Sequence, residues 1–173
     1  MKPGDYVFIQ FGHNDSKLDD SIRSAPAQTL YKQNLIKFIV ETRAKGGNPI
    51  LVTPVMRRKF NPVGNFVDQH GNYPGVVKFL ADSMRVTLID LHTSSKKMIE
   101  DEGIEGSKKM FLWIDSNHFK VMPVGKRDDT HFSEYGAAKV ASLVCAEIVA
   151  KHLDIEKYLL RSAHKEKYAF ELP

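Results

Sequence analysis

Apolar residues in this chain fall into short blocks that switch between a strand period and a helix period. Residues 5–11 (Asp-Tyr-Val-Phe-Ile-Gln-Phe) are rich in aromatic and β-branched side chains and predict a strand, which Gly12 breaks. Residues 25–45 predict a helix. Pro26 lies in its first turn, Tyr31, Leu35, Phe38, Ile39 and Thr42 share one face, and Gly46-Gly47 stops it. Residues 49–55 are almost wholly apolar, as suits a parallel strand covered on both faces. Residues 56–74 are irregular, with Pro62, Gly64, Gly71 and Pro74. A short helix over 75–85, a third strand over 86–91 and a helix with a polar outer face over 92–103 follow. Residues 105–127 show no clear period, although Met110-Phe111-Leu112-Trp113-Ile114 must be buried. Ser133 is a good N-cap for a helix running to about Leu153. That helix is apolar on more than one face and is expected to be well buried. The tail from Asp154 is amphipathic to polar and is expected to fray.

Strands alternating with helices predict an α/β fold with a parallel sheet and helices on both faces. No repeat or linker interrupts the chain, so residues 1–173 read as a single domain. Ligands in such folds sit beyond the carboxyl ends of the strands. The segments Phe11-Gly12-His13-Asn14 and Val55-Met56-Arg57-Arg58 both follow predicted strand ends. They are expected on the same rim as a loop over 128–131.

Composition changes this picture only at the margins. The net charge of +4 is mild; it fits a polyanionic substrate, but a solvated surface explains it more simply. No long basic run or aromatic–basic alternation suggests nucleic acid. No apolar run approaches the roughly 18 residues of a membrane span. Met1-Lys2-Pro3-Gly4-Asp5 is polar and turn-like rather than a signal peptide. The compartment stays open between cytoplasmic, for the chain as it stands, and secreted or periplasmic, for a longer form. A single cysteine, Cys145, rules out an internal disulfide and reads as a buried inert thiol.

Several residues could carry chemistry. Asn14 comes two residues after a glycine at a strand end, so its side-chain amide could donate into the cavity beyond the sheet; on local pattern alone, the Asx-turn reading is the stronger one. Gly12 would let the chain turn sharply there. Asp128 and His131 are three apart, a spacing that brings a carboxylate and an imidazole to one face of a tight turn. Asp115 and His118 share that spacing, but only Asp128–His131 is followed by Phe132-Ser133-Glu134-Tyr135-Gly136-Ala137-Ala138, which opens a helix. Arg57, Arg58 and Lys59 could grip a carboxylate or simply be exposed. His13 could line a pocket beside Asn14. His70 and His92 are isolated, and no close zinc-ligand spacing joins His70, His118 and the nearby aspartates.

Phe11-Gly12-His13-Asn14-Asp15 and Asp128-Asp129-Thr130-His131 resemble the third and fifth sequence blocks of the SGNH (GDSL-type) hydrolases, in the branch of the rhamnogalacturonan acetylesterases. The resemblance covers nearly the whole chain. It implies a flavodoxin-like three-layer α/β/α fold and a carbohydrate esterase that removes acetyl groups from pectic polysaccharide through a serine ester, without a cofactor. By the same resemblance Asn14 would stabilise the oxyanion, His131 would be the general base, and Asp128 would fix its tautomer. Gly12, His13, Arg57 and Arg58 would border the substrate. The family's first block, Gly-Asp-Ser with the nucleophile, and its second, with an oxyanion glycine, have no counterpart here. The expectation is therefore a chain that begins inside a longer hydrolase, with the serine upstream or on a partner.

In a family sheet of order 2-1-3-4-5, the strand over 6–11 would then expose an apolar edge. That edge (Tyr6 to Phe11) would invite self-association or a complementing chain. Two other readings remain: a catalytically inactive relative that binds a glycan or a protein, and a hydrolase in which Asp115, His118, Asp128 and His131 hold a metal.

Overall fold

The computed structural model describes residues 1–159. They form two compact units, one made of Met1–Val55 with Gln69–Thr93, the other of Met56–Asp68 with the chain from Ser94 onward.

The first unit is built on three parallel strands in the order β1 (Tyr6–Ile9), β2 (Asn48–Val52) and β3 (Thr87–Ile89). Tyr6 pairs with Asn48 and Ile9 with Leu51, while Ile50 pairs with Thr87 and Val52 with Ile89. Parallel neighbours need crossover helices; α1 (Lys32–Ala44) and α2 (Tyr73–Ser83) supply them. Tyr31, Leu35 and Ile39 from the first crossover, Val76, Val77 and Leu80 from the second, and Ile9 and Leu51 from the strands make one core. Consecutive residues Ile50, Leu51 and Val52 are all buried, so both faces of β2 are covered, as its unbroken apolarity predicts. Gly46 ends α1 at φ 72°, and a Cβ there would lie 3.1 Å from Pro3.

Boundaries differ from the sequence pattern in instructive ways. The first strand stops at Ile9, because Gln10 and Phe11 turn to other partners: Gln10 Nε2 donates to the Thr53 carbonyl (3.4 Å), and the Phe11 carbonyl accepts from Tyr31 Oη (3.1 Å). The helix expected over 25–45 is two pieces, a π-helical turn Ala27–Tyr31 and then α1. Among the described residues β1 pairs only with β2, so its outer edge is open. Phe8 and Phe11 are 41% and 47% exposed, and Phe11 stacks on Phe38 at 5.3 Å.

In the second unit, α3 (Leu91–Gly106) is broken at Gly103, which takes φ 68°. The stretch that the sequence left unassigned forms a 3-10 turn, Ser107–Met110, and an antiparallel pair, β4 (Phe111–Ile114) with β5 (Lys126–Phe132). Met56, Ile99, Met110 and Phe111 are the buried centre, with Phe60, Phe66, Trp113, Phe132 and Tyr135 packed around them. α4 (Glu134–Ala150) starts where the cap predicts: Ser133 Oγ accepts from Gly136 N at 3.1 Å. The expectation that α4 is well buried is not met. Only Gly136 and Ile148 are buried, and Cys145 is half-buried, because nothing among the described residues covers the helix's other apolar faces. The tail begins with a 3-10 turn, Asp154–Tyr158. The rest of the fraying predicted for it lies outside the described residues.

Candidate active site

In the first unit, the three strands end in a cluster of polar groups. After β1 the chain turns at Gly12, which is buried at φ 125°; a Cβ there would lie 3.2 Å from Pro54. Gly12 N donates to Asp15 Oδ2 (2.9 Å), Ser16 N to the Gly12 carbonyl (3.1 Å) and Ser16 Oγ to the His13 carbonyl (3.1 Å). Tyr73 Oη lies 2.8 Å from the Asp15 carbonyl and 2.9 Å from that of Ala25, which pins the far side of the loop. Burial pushes the Tyr73 hydroxyl above its ordinary pKa, as it does that of Tyr31, so both stay protonated donors. Asn14 stands exposed on this rigid turn. Its carbonyl accepts from Lys17 N (3.0 Å), and its side-chain amide takes no hydrogen bond among the described residues.

After β2 and β3, Thr53 Oγ1 donates to Asp90 Oδ1 (3.0 Å) and accepts from His92 N (2.8 Å). Burial opposes ionisation of Asp90, but Lys78 at 2.7 Å, together with Thr93 and Thr53, outweighs it and lowers its pKa. Three imidazoles meet on this rim. His70, fully buried, is edge-on to His13 (centroids 4.8 Å apart) and to His92 (5.7 Å). The sequence treated His70 and His92 as isolated; their grouping with His13 depends on strand and loop ends distant in the chain. His70 and His92 offer ring nitrogens within 4.8 Å of each other.

In the second unit, Asp128 and His131 lie on β5 rather than in a loop, and the register explains their meeting. Leu112 pairs with Asp128, yet the adjacent Phe111 pairs with Phe132. Asp129, Thr130 and His131 are thus a bulge without partners on β4. Bulges of this kind re-aim side chains, and here Asp128 and His131 stand at its two sides. Asp128 Oδ1 accepts from the backbone N–H groups of Thr130 and His131, both at 2.9 Å. Its Oδ2 lies 2.7 Å from His131 Nδ1 and 3.0 Å from Lys126 Nζ. Partial burial works against ionisation of Asp128, but these donors prevail and hold its carboxyl well below the usual carboxylate range. His131 is 71% exposed. With Nδ1 committed to the carboxylate, Nε2 is the ring nitrogen left over on an exposed side chain.

The rival pair does not form. Asp115 Oδ1 binds Arg127 Nη2 (2.8 Å), and the His118 ring packs edge-on against Phe119 (4.5 Å). The two basic candidates also separate. Arg57 is half-buried, and burial lowers its pKa from the ordinary guanidinium value. Arg58 is only 6% exposed and directs its donors inward: Nε to Ser107 Oγ (3.0 Å), Nη2 to the Ile104 carbonyl (2.6 Å) and Nη1 to Asp129 Oδ1 (2.7 Å). The structure therefore makes Arg58 a strut inside the second unit, where the sequence left it either gripping a carboxylate or simply exposed. Among the described residues of the second unit, Ser95, Ser107, Ser133 and Ser142 serve Met56, Arg58, Gly136 and Lys139 rather than the His131 ring.

No family model matches the chain. The rhamnogalacturonan acetylesterase RhgT of Bacillus subtilis is 39% identical over 163 residues, covering 94% of this chain and 68% of its own length. The probable rhamnogalacturonan acetylesterase YesY of the same organism is 31% identical over 161 residues, covering 93% and 70%. Among solved structures, the YxiM protein of Bacillus subtilis matches with TM-score 0.70 at 25% identity, over 88% of this chain and 39% of that one. The acetylxylan esterase Axe2 of Geobacillus stearothermophilus has the same fold, with TM-score 0.57 at 19% identity over 83% of this chain and 59% of that one. The chain thus spans about seven-tenths of the two named relatives and less than two-thirds of either solved structure. At 39% identity along nearly its whole length, and with an asparagine turn after a parallel strand and a carboxylate-held histidine on a bulge, this chain belongs to the rhamnogalacturonan acetylesterases of the SGNH hydrolase family.

Proposed function

We propose that this chain is the base-bearing part of a carbohydrate acetylesterase acting on acetylated pectic polysaccharide of the rhamnogalacturonan type. The observation that carries the reading is the 2.7 Å contact between Asp128 Oδ2 and His131 Nδ1, which leaves Nε2 as the proton acceptor. In this mechanism His131 Nε2 takes the proton of a serine hydroxyl as its oxygen attacks the acetyl carbonyl. The Asn14 amide donates to the oxyanion that forms; a donor of this kind is worth about 3 kcal/mol of barrier. His131 then returns the proton to the leaving sugar oxygen, and a water repeats the sequence to release acetate. Asp128 keeps the imidazole in one tautomer throughout. Gly12, His13 and Arg57 border the substrate. The serine comes from outside these 173 residues.

The open β1 edge, together with the exposed Phe8 and Phe11 of the same segment, supports pairing with a second copy or a complementing chain. Light scattering at micromolar concentration is expected to show species larger than a monomer; a clean monomer would count against this.

The direct test is intact mass after treatment with a serine-directed fluorophosphonate. No adduct is expected on the folded chain. A single adduct that disappears in His131→Ala would place the nucleophile inside this chain and overturn the external serine while keeping the esterase. Calorimetry with an acetylated rhamnogalacturonan oligosaccharide is expected to show binding that weakens in Asn14→Ala. Absence of binding would remove the carbohydrate.

A further inference from the structure

We propose that Arg58, acting through Asp129 and aided by Trp113, is the positioning residue of the Asp128–His131 pair. The inference rests on the reading of His131 as the base, but its test does not. The bulge formed by Asp129, Thr130 and His131 has no ladder partner on β4. An unpaired bulge ending in an exposed histidine would sample several backbone and side-chain states. Here its first residue is clamped twice. Arg58 N donates to the Asp129 carbonyl (2.9 Å), and Arg58 Nη1 donates to Asp129 Oδ1 (2.7 Å). Trp113 Nε1 donates to the same carboxylate oxygen (2.8 Å).

Arg58 is itself immobile. It is buried, its other nitrogens are held by Ser107 and Ile104, and its guanidinium lies 4.9 Å from the Trp113 ring centroid. A charged, planar fork replaces the missing strand hydrogen bonds and ties the bulge to the core. The consequence reaches the next residue. With Asp129 fixed, the peptide N–H groups of Thr130 and His131 converge on Asp128 Oδ1, which turns Oδ2 toward His131 Nδ1. Arg58 bonds Ser107, Ile104 and Asp129 rather than His131; it sets the tautomer of His131 through Asp129.

The test is long-range proton–nitrogen NMR of the His131 ring at about pH 9, where an imidazole is neutral. The wild-type chain is expected to show one tautomer, protonated on Nδ1. Asp129→Ala is expected to raise the minor tautomer about tenfold, the scale of one lost charge-assisted hydrogen bond. Asp129→Asn, which keeps an acceptor for Arg58 and Trp113, is expected to restore most of the wild-type ratio. A merely structural contact would change the melting temperature in both variants and leave the ratio alone. Trp113→Phe keeps the ring and deletes only the N–H donor; it is expected to raise the minor tautomer by about threefold, and it carries the test should Asp129→Ala fail to fold. A ratio within twofold of wild type in the folded variants overturns the proposal, as does a wild-type ring that already averages both tautomers. A failed fluorophosphonate or binding experiment would remove the esterase reading and leave this result standing.

Discussion

Asp115–His118 and Asp128–His131 have the same residues at the same spacing, lie in the same unit and border the same hairpin, yet they behave oppositely. The first sits in a tight turn where Asn117 takes φ 63° and Asn117 N bonds the Pro123 carbonyl (2.9 Å). Asp115 is 87% exposed and turns toward Arg127. The second sits on a bulge whose N–H groups converge on a carboxylate only 13% exposed. Spacing lets a carboxylate meet an imidazole; it does not make them meet. The difference comes from what organises the backbone around each aspartate. One turn is held by bonds within the hairpin, to Pro123, Val124 and Arg127. The other is held by Arg58 and Trp113 at Asp129, and by Met110 at Ser133.

The sharpest contrast is catalytic. In acetate release by a form that carries the serine, His131→Ala is expected to lower the rate about 10³- to 10⁴-fold. His118→Ala is expected to stay within about twofold. Equal losses would mean that the hairpin turn, and not the bulge, holds the base.

Next in size is the anchor at the end of the bulge. A Cβ on Gly136 would lie 1.8 Å from the Met110 carbonyl oxygen, so the first turn of α4 tolerates no side chain there. Gly136→Ala is expected to cost about 3 kcal/mol in urea unfolding. Ser133→Ala removes the cap and is expected to cost about 1 kcal/mol. An unchanged midpoint for Gly136→Ala would show that α4 does not lean on this strand.

The pH dependence of Asp128 is a smaller effect. Its folded-state pKa is depressed, so its contribution is fully present above the ordinary carboxyl value near 3.9 and is lost as pH falls through the folded value. Asp128→Asn is therefore expected to be less stable than wild type at pH 6 by about 1–2 kcal/mol. The gap should shrink below about pH 4. A gap that widens on acidification would reverse the sign of the argument. The smallest change is Asp115→Ala, expected to cost no more than about 0.5 kcal/mol, since its side-chain partner among the described residues is an exposed Arg127.

Much of the first unit was legible in the chain. β1, β2 and β3 appear where β-branched and aromatic residues cluster, because a strand buried on both faces needs a run of apolar residues and little else. Gly12 and Ser133 were legible for local reasons, a positive φ against Pro54 and a side-chain cap on Gly136 N. The second unit was harder. β4 and β5 could not be placed because their pairing spans residues 111 to 132, and no short-range period encodes which strand meets which. Arg58 was read within a basic triplet on a loop, where exposure is the rule; only its distant partner Asp129 makes its burial tolerable.

The sequence by itself determined the alternation of strands and helices, the cap of α4, the asparagine turn and the order of the two chemical segments. Each of these is set by residues within a turn or two of one another. Tertiary structure alone decided that one Asp-x-x-His is a carboxylate–imidazole pair and the other is not, that three histidines share a rim, and that an arginine serves the fold. Those outcomes depend on bulge register, on close approach of backbone to backbone, and on charges meeting across long stretches of chain, and no local pattern of side chains specifies them.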